Sequence, residues 1–330
     1  MDIELLRERS RIIKQVRSFF DSRDYLETDT PLLSPDLIPE SCLEVFQTLR
    51  LSPKGSLTPD KPCWLVPSPE IWMKRLIAQH RVNLYQICKC FRNGESSGRW
   101  HSPEFTMLEY YTMQADYMDS LKLTEELFAF LLGDGGRNKN EHTELLPPFI
   151  KITMEEAFGR WAGFDLYKAA ESQTAMEDEA RKLGLCPPLG LSVPELYDLI
   201  FIHAVEPNLK LERPVAIIDY PAFVPCLAKK RNGGKTVERW ELYARGIELV
   251  NCYSEETSAK EVRTFFESEK TAKEKNALVP HKTDDDYWKL FSSKEKPFPE
   301  CSGVALGLDR LIMVLTGRKT IDGVLPFPAF

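Results

Sequence analysis

The chain has 330 residues, 43% apolar and 11% aromatic, which is enough to fill a substantial core and marks it as globular. Its 43 lysines and arginines against 50 acids give a formal charge of −7, arguing against a broad surface that tracks nucleic-acid phosphates. Any such contact needs a local patch, of which Ala228 to Arg231 (AKKR) is a small one.

The opening MDIELLRERSRIIKQVRSFF has charges scattered through it, unlike a secretory signal. No apolar run approaches the roughly 20 residues that cross a bilayer, so the chain is expected in the cytoplasm and off the membrane. Residues 2–22 read as an amphipathic helix, with Leu5, Ile12, Val16, Phe19 and Phe20 at helical spacing. Leu49 to Pro62, rich in proline, serine and lysine, reads as an exposed loop. WLVPSPEIWMKRLIAQH follows as a short strand turning into a helix, with Ser68 as N-cap, Pro69 in the first helical position and Glu70 in the first turn.

Leu84 to Arg92 and Phe105 to Thr112 alternate as two strands joined by a long polar loop. Gly133 to Thr143 (GDGGRNKNEHT) reads as a connector, and about 150–210 as mainly helical. Strand patterns resume at PVAIIDYP and RWELYARGIELVNCY, followed by a charged helix from about Ser258 to Lys275. CSGVALGLDRLIMVLTG is a strand turning through small residues into an apolar helix. Strands with long, irregular separations point to an α+β fold, an antiparallel sheet flanked by helices, rather than a regular βαβ alternation. A Rossmann glycine turn and a P-loop are both missing. Eight dispersed cysteines without a Cys-x-x-Cys pair fit reduced thiols; Cys88 and Cys90 share one face of a strand.

On the second strand Phe105, Met107, Glu109 and Tyr111 share a face, so Glu109 lies beside aromatic groups. A carboxylate there takes up a proton or is matched by a cation, unless the strand is an edge open to water. Arg92 ends the preceding strand with a donor fork suited to carboxylate or phosphate, and Arg99 and His101 follow in the loop. If Arg245-Gly246 is a two-residue hairpin loop, Tyr243 faces Glu248, and Glu241 and Glu248 fall diagonally on one face. Such a pair suits Mg2+, or else forms a solvated acidic face. Simple alternation puts Asn251 and Glu255 on the opposite face, so a shared site demands a bulge between Leu249 and Tyr253.

Together these pieces resemble the catalytic core of class II aminoacyl-tRNA synthetases, and within it the lysyl branch. ETDTPLLS around Pro31 resembles motif 1, FRNGESSGRWHSPEFTMLEYY motif 2, GVALGLDRLIMVL motif 3, and ELYARGIELVNCYSEE the branch's paired-acid hairpin. Only 30 residues precede Pro31, too few for an OB-fold anticodon-binding domain, so a single catalytic domain over 1–330 with a helical insertion at about 150–210 is expected. That architecture is similar to the short paralogues that attach lysine or (R)-β-lysine to elongation factor P, and Ser68 and Ala305 agree with them.

The resemblance implies roles. Arg92, Glu248 and Arg310 would be catalytic. Arg92, Asn93, Glu95, His101, Ser102, Phe105, Glu248, Leu249, Gly307 and Arg310 would bind ATP, with Phe105 stacked on adenine. Glu241 and Glu248 would hold Mg2+. Glu109, Tyr111, Asn251, Glu255 and Ala305 would line the amino-acid site, with Ser68, Pro69 and Glu70 at its amino-group end. Motif 1 implies a homodimer, and elongation factor P is the implied acceptor. The chain departs from the family pattern at Gly94, in a motif 2 loop one residue longer, at Ser102 and at Cys252. A minimal lysyl-tRNA synthetase and an inactive regulatory relative are the rival readings; the acidic balance disfavours tRNA.

Overall fold

The computed structural model describes residues 3–51, 59–94, 98–133, 142–231 and 233–327. Two compact units are present, one made of residues up to 115 and from 255 onward, the other of residues 116–254.

The first unit begins with helix α1 (Ile3–Asp21), which buries Leu5, Ile12, Val16, Phe19 and Phe20 as their spacing predicts. Strands β1 (Leu26–Glu27), β2 (Leu33–Ser34), β3 (Gln47–Leu51) and β4 (Pro59–Leu65) follow, and β2, β4 and β3 form a small antiparallel sheet. This corrects the loop expected over 49–62: Leu49 pairs with Pro62 and Arg50 with Lys61. Trp64 and Val66, packed with Leu37 and Val45, anchor that sheet in a local core that overrides the weak strand propensity of the flanking residues. Residues 52–58 of the expected loop lie outside the described residues.

Helix α2 (Glu70–His80) leads into β5 (Leu84–Phe91), which pairs parallel with β1 and antiparallel with β6 (Glu104–Met113). On the side of β6 away from the future site, Tyr110 packs with Tyr85 against Phe20 of α1, at ring-centroid distances of 4.8 and 5.0 Å.

The second unit runs through α3 (Tyr117–Gly133), β7 (Ile150–Thr153), α4 (Met154–Ala157), α5 (Leu166–Ala169), α6 (Gln173–Lys182), α7 (Val193–Ile200), β8 (Val215–Pro221), β9 (Thr236–Ala244) and β10 (Ile247–Ser254). Of the connector expected at 133–143, residues 134–141 lie outside the described residues. Capping boxes Thr153–Glu156 and Ser192–Glu195 start α4 and α7, and both helices run on into π-helical turns. Phe158, Leu196, Tyr197 and Ile200 from these helices meet Val215 and Ile217 of β8 in this unit's core. β7 and β8 pair parallel, and β8, β9 and β10 antiparallel.

The first unit resumes with α8 (Ala259–Asn276), capped by Ser258, whose side chain accepts from Glu261 N. It closes with β11 (Cys301–Gly307), antiparallel to β6, and α9 (Leu308–Leu315). Antiparallel pairing flanked by helices is therefore the rule in both units, with parallel strand pairs among the described residues at β1–β5 and β7–β8 and an isolated parallel bridge between Leu37 and Thr283. Among the described residues no helix is long and apolar enough to cross a membrane.

Candidate active site

Register decides which side chains of the first unit share a face. Opposite Glu109 lie Gln86 of β5 and Ala305 of β11; opposite Tyr111 lies Gly303, opposite Met107 lie Cys88 and Gly307, and opposite Phe105 lies Cys90. Strand alternation turns all of these to the same side. Glu109 is buried, and Tyr111 Oη donates to its Oε1 at 2.7 Å. Its Oε2 is buried without a hydrogen-bond partner among the described residues. Burial, reinforced by the nearby Glu70 charge, holds the Glu109 carboxyl well above its ordinary range.

Glu255 lies just beyond the second unit's last strand and donates its backbone N–H to Cys301 O at 2.9 Å. Its carboxylate is fully buried, and Oε1 has no hydrogen-bond donor among the described residues. Burial pushes it up to about 8, against the pull of Lys74. Gly303 makes this approach possible, because a Cβ there would stand 2.4 Å from Glu255 Oε1 and 2.6 Å from Tyr111 Cε1.

Helix α2 supplies the remaining groups. Lys74 Nζ lies 2.5 Å from Glu70 Oε1 and 2.5 Å from Glu255 Oε2, with the Lys74 side chain only 1% exposed. The sequence reading missed Lys74, although its i,i+4 spacing from Glu70 was a usable signal. The helix start differs from expectation. Pro69 takes the cap position without a side-chain cap, Glu70 is the first helical residue, and Ser68 Oγ accepts from Glu70 N at 3.3 Å.

The motif 2 residues gather beside this pocket within the same unit. The Arg92 guanidinium lies 5.3 Å over the half-buried Phe105 ring. Arg92 N donates to Pro103 O at 3.0 Å, which closes the loop whose Gly98 bridges His101. Ser102 Oγ is buried with no partner among the described residues. Asn93 gives its side-chain N–H to Val45 O at 3.3 Å, and Arg310 Nε donates to Trp100 O at 3.1 Å, so the motif 3 arginine does reach the motif 2 loop. Gly307 caps α9. Glu95 lies outside the described residues. Glu40 is a further acid the sequence reading missed; burial and Glu70 push it up to about 7, against Arg92 and Lys273.

In the second unit Arg245 and Gly246 both have positive φ, forming the two-residue loop, and Glu248 pairs with Tyr243. A bulge at Leu249 shifts the register so that Asn251 comes opposite Glu241. Glu241, Glu248 and Asn251 thus share a face. Arg239, two residues before Glu241, completes the group: it donates to Glu241 Oε1 at 2.6 Å and to Asn251 Oδ1 at 3.1 Å. Glu241 Oε2 accepts from Tyr220 at 2.6 Å and Tyr243 at 2.7 Å. Both Glu241 oxygens therefore already accept hydrogen bonds, and among the described residues no group of three or more His, Cys, Asp or Glu is arranged to hold a metal. Glu248, on the same face, is the other carboxylate of the pair, an oxygen donor of the kind of which Mg2+ takes one or two, completing its shell with water and phosphate.

This architecture is that of a class II synthetase core, and the sequence matches the family described as tRNA synthetases class II (D, K and N) over residues 3–330. The chain belongs to that family. Its relatives include proteins named elongation factor P (R)-β-lysine ligase: that of Avibacterium paragallinarum is 34% identical over 98% of this chain and 95% of its own. Those of Vibrio atlanticus and Proteus mirabilis are each 34% identical, over 99% and 98% of this chain and 96% and 95% of theirs.

Proposed function

We propose that this chain is an ATP-dependent amino acid–protein ligase that activates (R)-β-lysine or lysine as an aminoacyl-adenylate and transfers it to a lysine side chain of elongation factor P. The names of its relatives give the acceptor and the favoured isomer. The observation in the structure that carries the substrate class is the pair of buried carboxylate oxygens, Glu109 Oε2 and Glu255 Oε1, that have no hydrogen-bond donor among the described residues. An oxygen of this kind calls for a cationic donor, and an ammonium supplies three N–H groups to such acceptors.

In the first step a substrate carboxylate oxygen attacks the α-phosphorus of ATP, the bond to the bridging oxygen breaks, and pyrophosphate leaves. In the second, the acceptor amine attacks the carbonyl carbon, the acyl–phosphate bond breaks, AMP leaves, and the amine nitrogen gives up a proton. Arg92 is assigned to the α-phosphate and the substrate carboxylate, positioning both reactants and countering charge on the phosphoryl oxygens. Phe105 is assigned to the adenine ring, Arg310 to the terminal phosphates, and Asn93, His101, Ser102 and Gly307 to the remaining nucleotide contacts. Glu109, Tyr111 and Glu255 grip the side-chain ammonium, Ser68, Pro69 and Glu70 the other amine, and Ala305 leaves room opposite Glu109.

In the second unit we assign Glu248, with Glu241 beside it, to Mg2+, Leu249 to ATP and Asn251 to the amino-acid substrate. Bound there, Mg2+ supplies positive charge to the phosphate oxygens. Both units are read as parts of one catalytic domain. A cytosolic homodimer completes the proposal, supported by eight free thiols and by the motif 1 likeness.

The test is mass spectrometry of elongation factor P after incubation with this protein, ATP, Mg2+ and each lysine isomer separately. Addition of one lysyl group, dependent on ATP, is expected, and (R)-β-lysine is expected to react faster. An unmodified acceptor with both isomers would overturn the reading.

A further inference from the structure

A buried lysine inside a cavity built for a cationic substrate is a paradox. Lys74 Nζ stands at 2.5 Å from both Glu70 and Glu255, in a position that an incoming ammonium would otherwise compete for. Two carboxylates, Glu70 and Glu255, contact it, and a third, Glu109, lies within its electrostatic reach. Ionised together, they exceed the charge of Lys74 by two, and two ammonium groups are what a diamino acid carries.

We propose that Lys74 is a resident ammonium that sets the number of positive charges the pocket takes from its substrate, and so selects diamino acids over monoamino ones. This rests on the ligase reading above and adds a specificity-determining position to it. With Lys74 present, a diamino acid matches both carboxylates in excess, whereas a monoamino acid leaves one buried carboxyl to keep its proton and forgoes a charge-assisted contact, the kind of deficit by which polar sites reject analogues. Lys74 also holds two like charges on separate elements, α2 and the segment after β10, at fixed positions. It touches no reacting atom and acts by positioning.

The titratable groups facing it are Glu70 on its own helix, Glu109 on β6, Glu255, the buried Tyr287 and Cys301 of β11. Loss of the Lys74 charge raises the proton affinity of Glu109 and Glu255. Since Glu255 grips substrate as a carboxylate, activity rises with pH through its titration, and losing Lys74 moves that limb upward.

The experiment compares wild type with Lys74→Met in lysine- and β-lysine-dependent ATP–pyrophosphate exchange across pH. Expected for the variant are a rise in KM for the diamino acid of about tenfold or more and an acid limb of kcat/KM displaced by about one pH unit. The KM for ATP should be unchanged. Lys74→Arg, which keeps the charge, should leave the limb near its wild-type place. If Lys74→Met does not fold, Lys74→Gln, which keeps a donor and removes only the charge, is read in its place. An unmoved KM and acid limb in an active, folded neutral variant would overturn the inference. Failure of wild type to exchange with any diamino acid would instead overturn the ligase reading.

Discussion

The Arg9 guanidinium lies 2.6 Å from the Asp309 carboxylate, joining α1 to the first turn of α9, one residue before Arg310. Arg9 also donates to Thr106 Oγ1 at 3.0 Å, and Asp309 Oδ2 accepts from Thr106 N at 2.7 Å, so β6 completes the triangle. Both charges are withdrawn from water. Arg9→Met strands a buried carboxylate and should cost about 3 kcal/mol, read as a lower urea midpoint. Arg9→Met combined with Asp309→Asn should recover part of that loss, because the amide oxygen still accepts from Thr106 N.

Gly303→Ala tests the tightest approach in the pocket. Its Cβ would overlap Glu255 Oε1 and the Tyr111 ring, neither of which can retreat cheaply from a closed site. Overpacking of this kind costs about 1–3 kcal/mol, and here it should appear as a higher KM for the diamino acid at unchanged KM for ATP. Equal KM values for the amino acid in variant and wild type would show that Glu255 does not face the substrate.

The Glu255 carboxyl is raised from 4.5 to about 8 in the folded protein. A raised carboxyl binds its proton more tightly when folded. Its stabilising contribution is therefore full below about 4.5 and is lost as pH rises through about 8. The melting temperature of wild type relative to Glu255→Gln should accordingly fall over that window in thermal scans without substrate. Diamine binding should release protons over the same window, measurable by titration calorimetry in two buffers of different ionisation enthalpy.

Glu248 and Glu241 should separate in a magnesium titration. Glu248→Gln is expected to raise the Mg2+ needed for half-maximal exchange by about tenfold, since the ion loses a carboxylate. Glu241→Gln removes the charge paired with Arg239 and puts an NH2 donor in place of one of the two oxygens that accept from Arg239, Tyr220 and Tyr243, so it should lower thermal stability as well. A Glu248 variant with an unchanged Mg2+ requirement would reject the assignment.

The sequence by itself determined what is periodic or local. Alternation placed Glu109 and Tyr111 on one face, helical spacing picked the buried stripe of α1, and Arg245-Gly246 marked the hairpin loop; a shared site for Glu248 and Asn251 required a bulge between Leu249 and Tyr253, and the register shifts at Leu249, the near end of that span. Motif order carried the family as well. Tertiary structure alone decided which charges meet. Lys74 bridges Glu70 to Glu255, 181 positions away by the numbering; Arg239 fills an oxygen of Glu241; and Arg9 reaches Asp309 across most of the chain. Residues 49–51 and 59–62 of the proline-rich segment likewise became strand only because β3 and β4 found each other and a core beneath them. Local spacing fixes the direction in which a side chain leaves its own element. The partner it finds depends on how distant elements pack, and a buried charge is stable only where that packing delivers its counterpart.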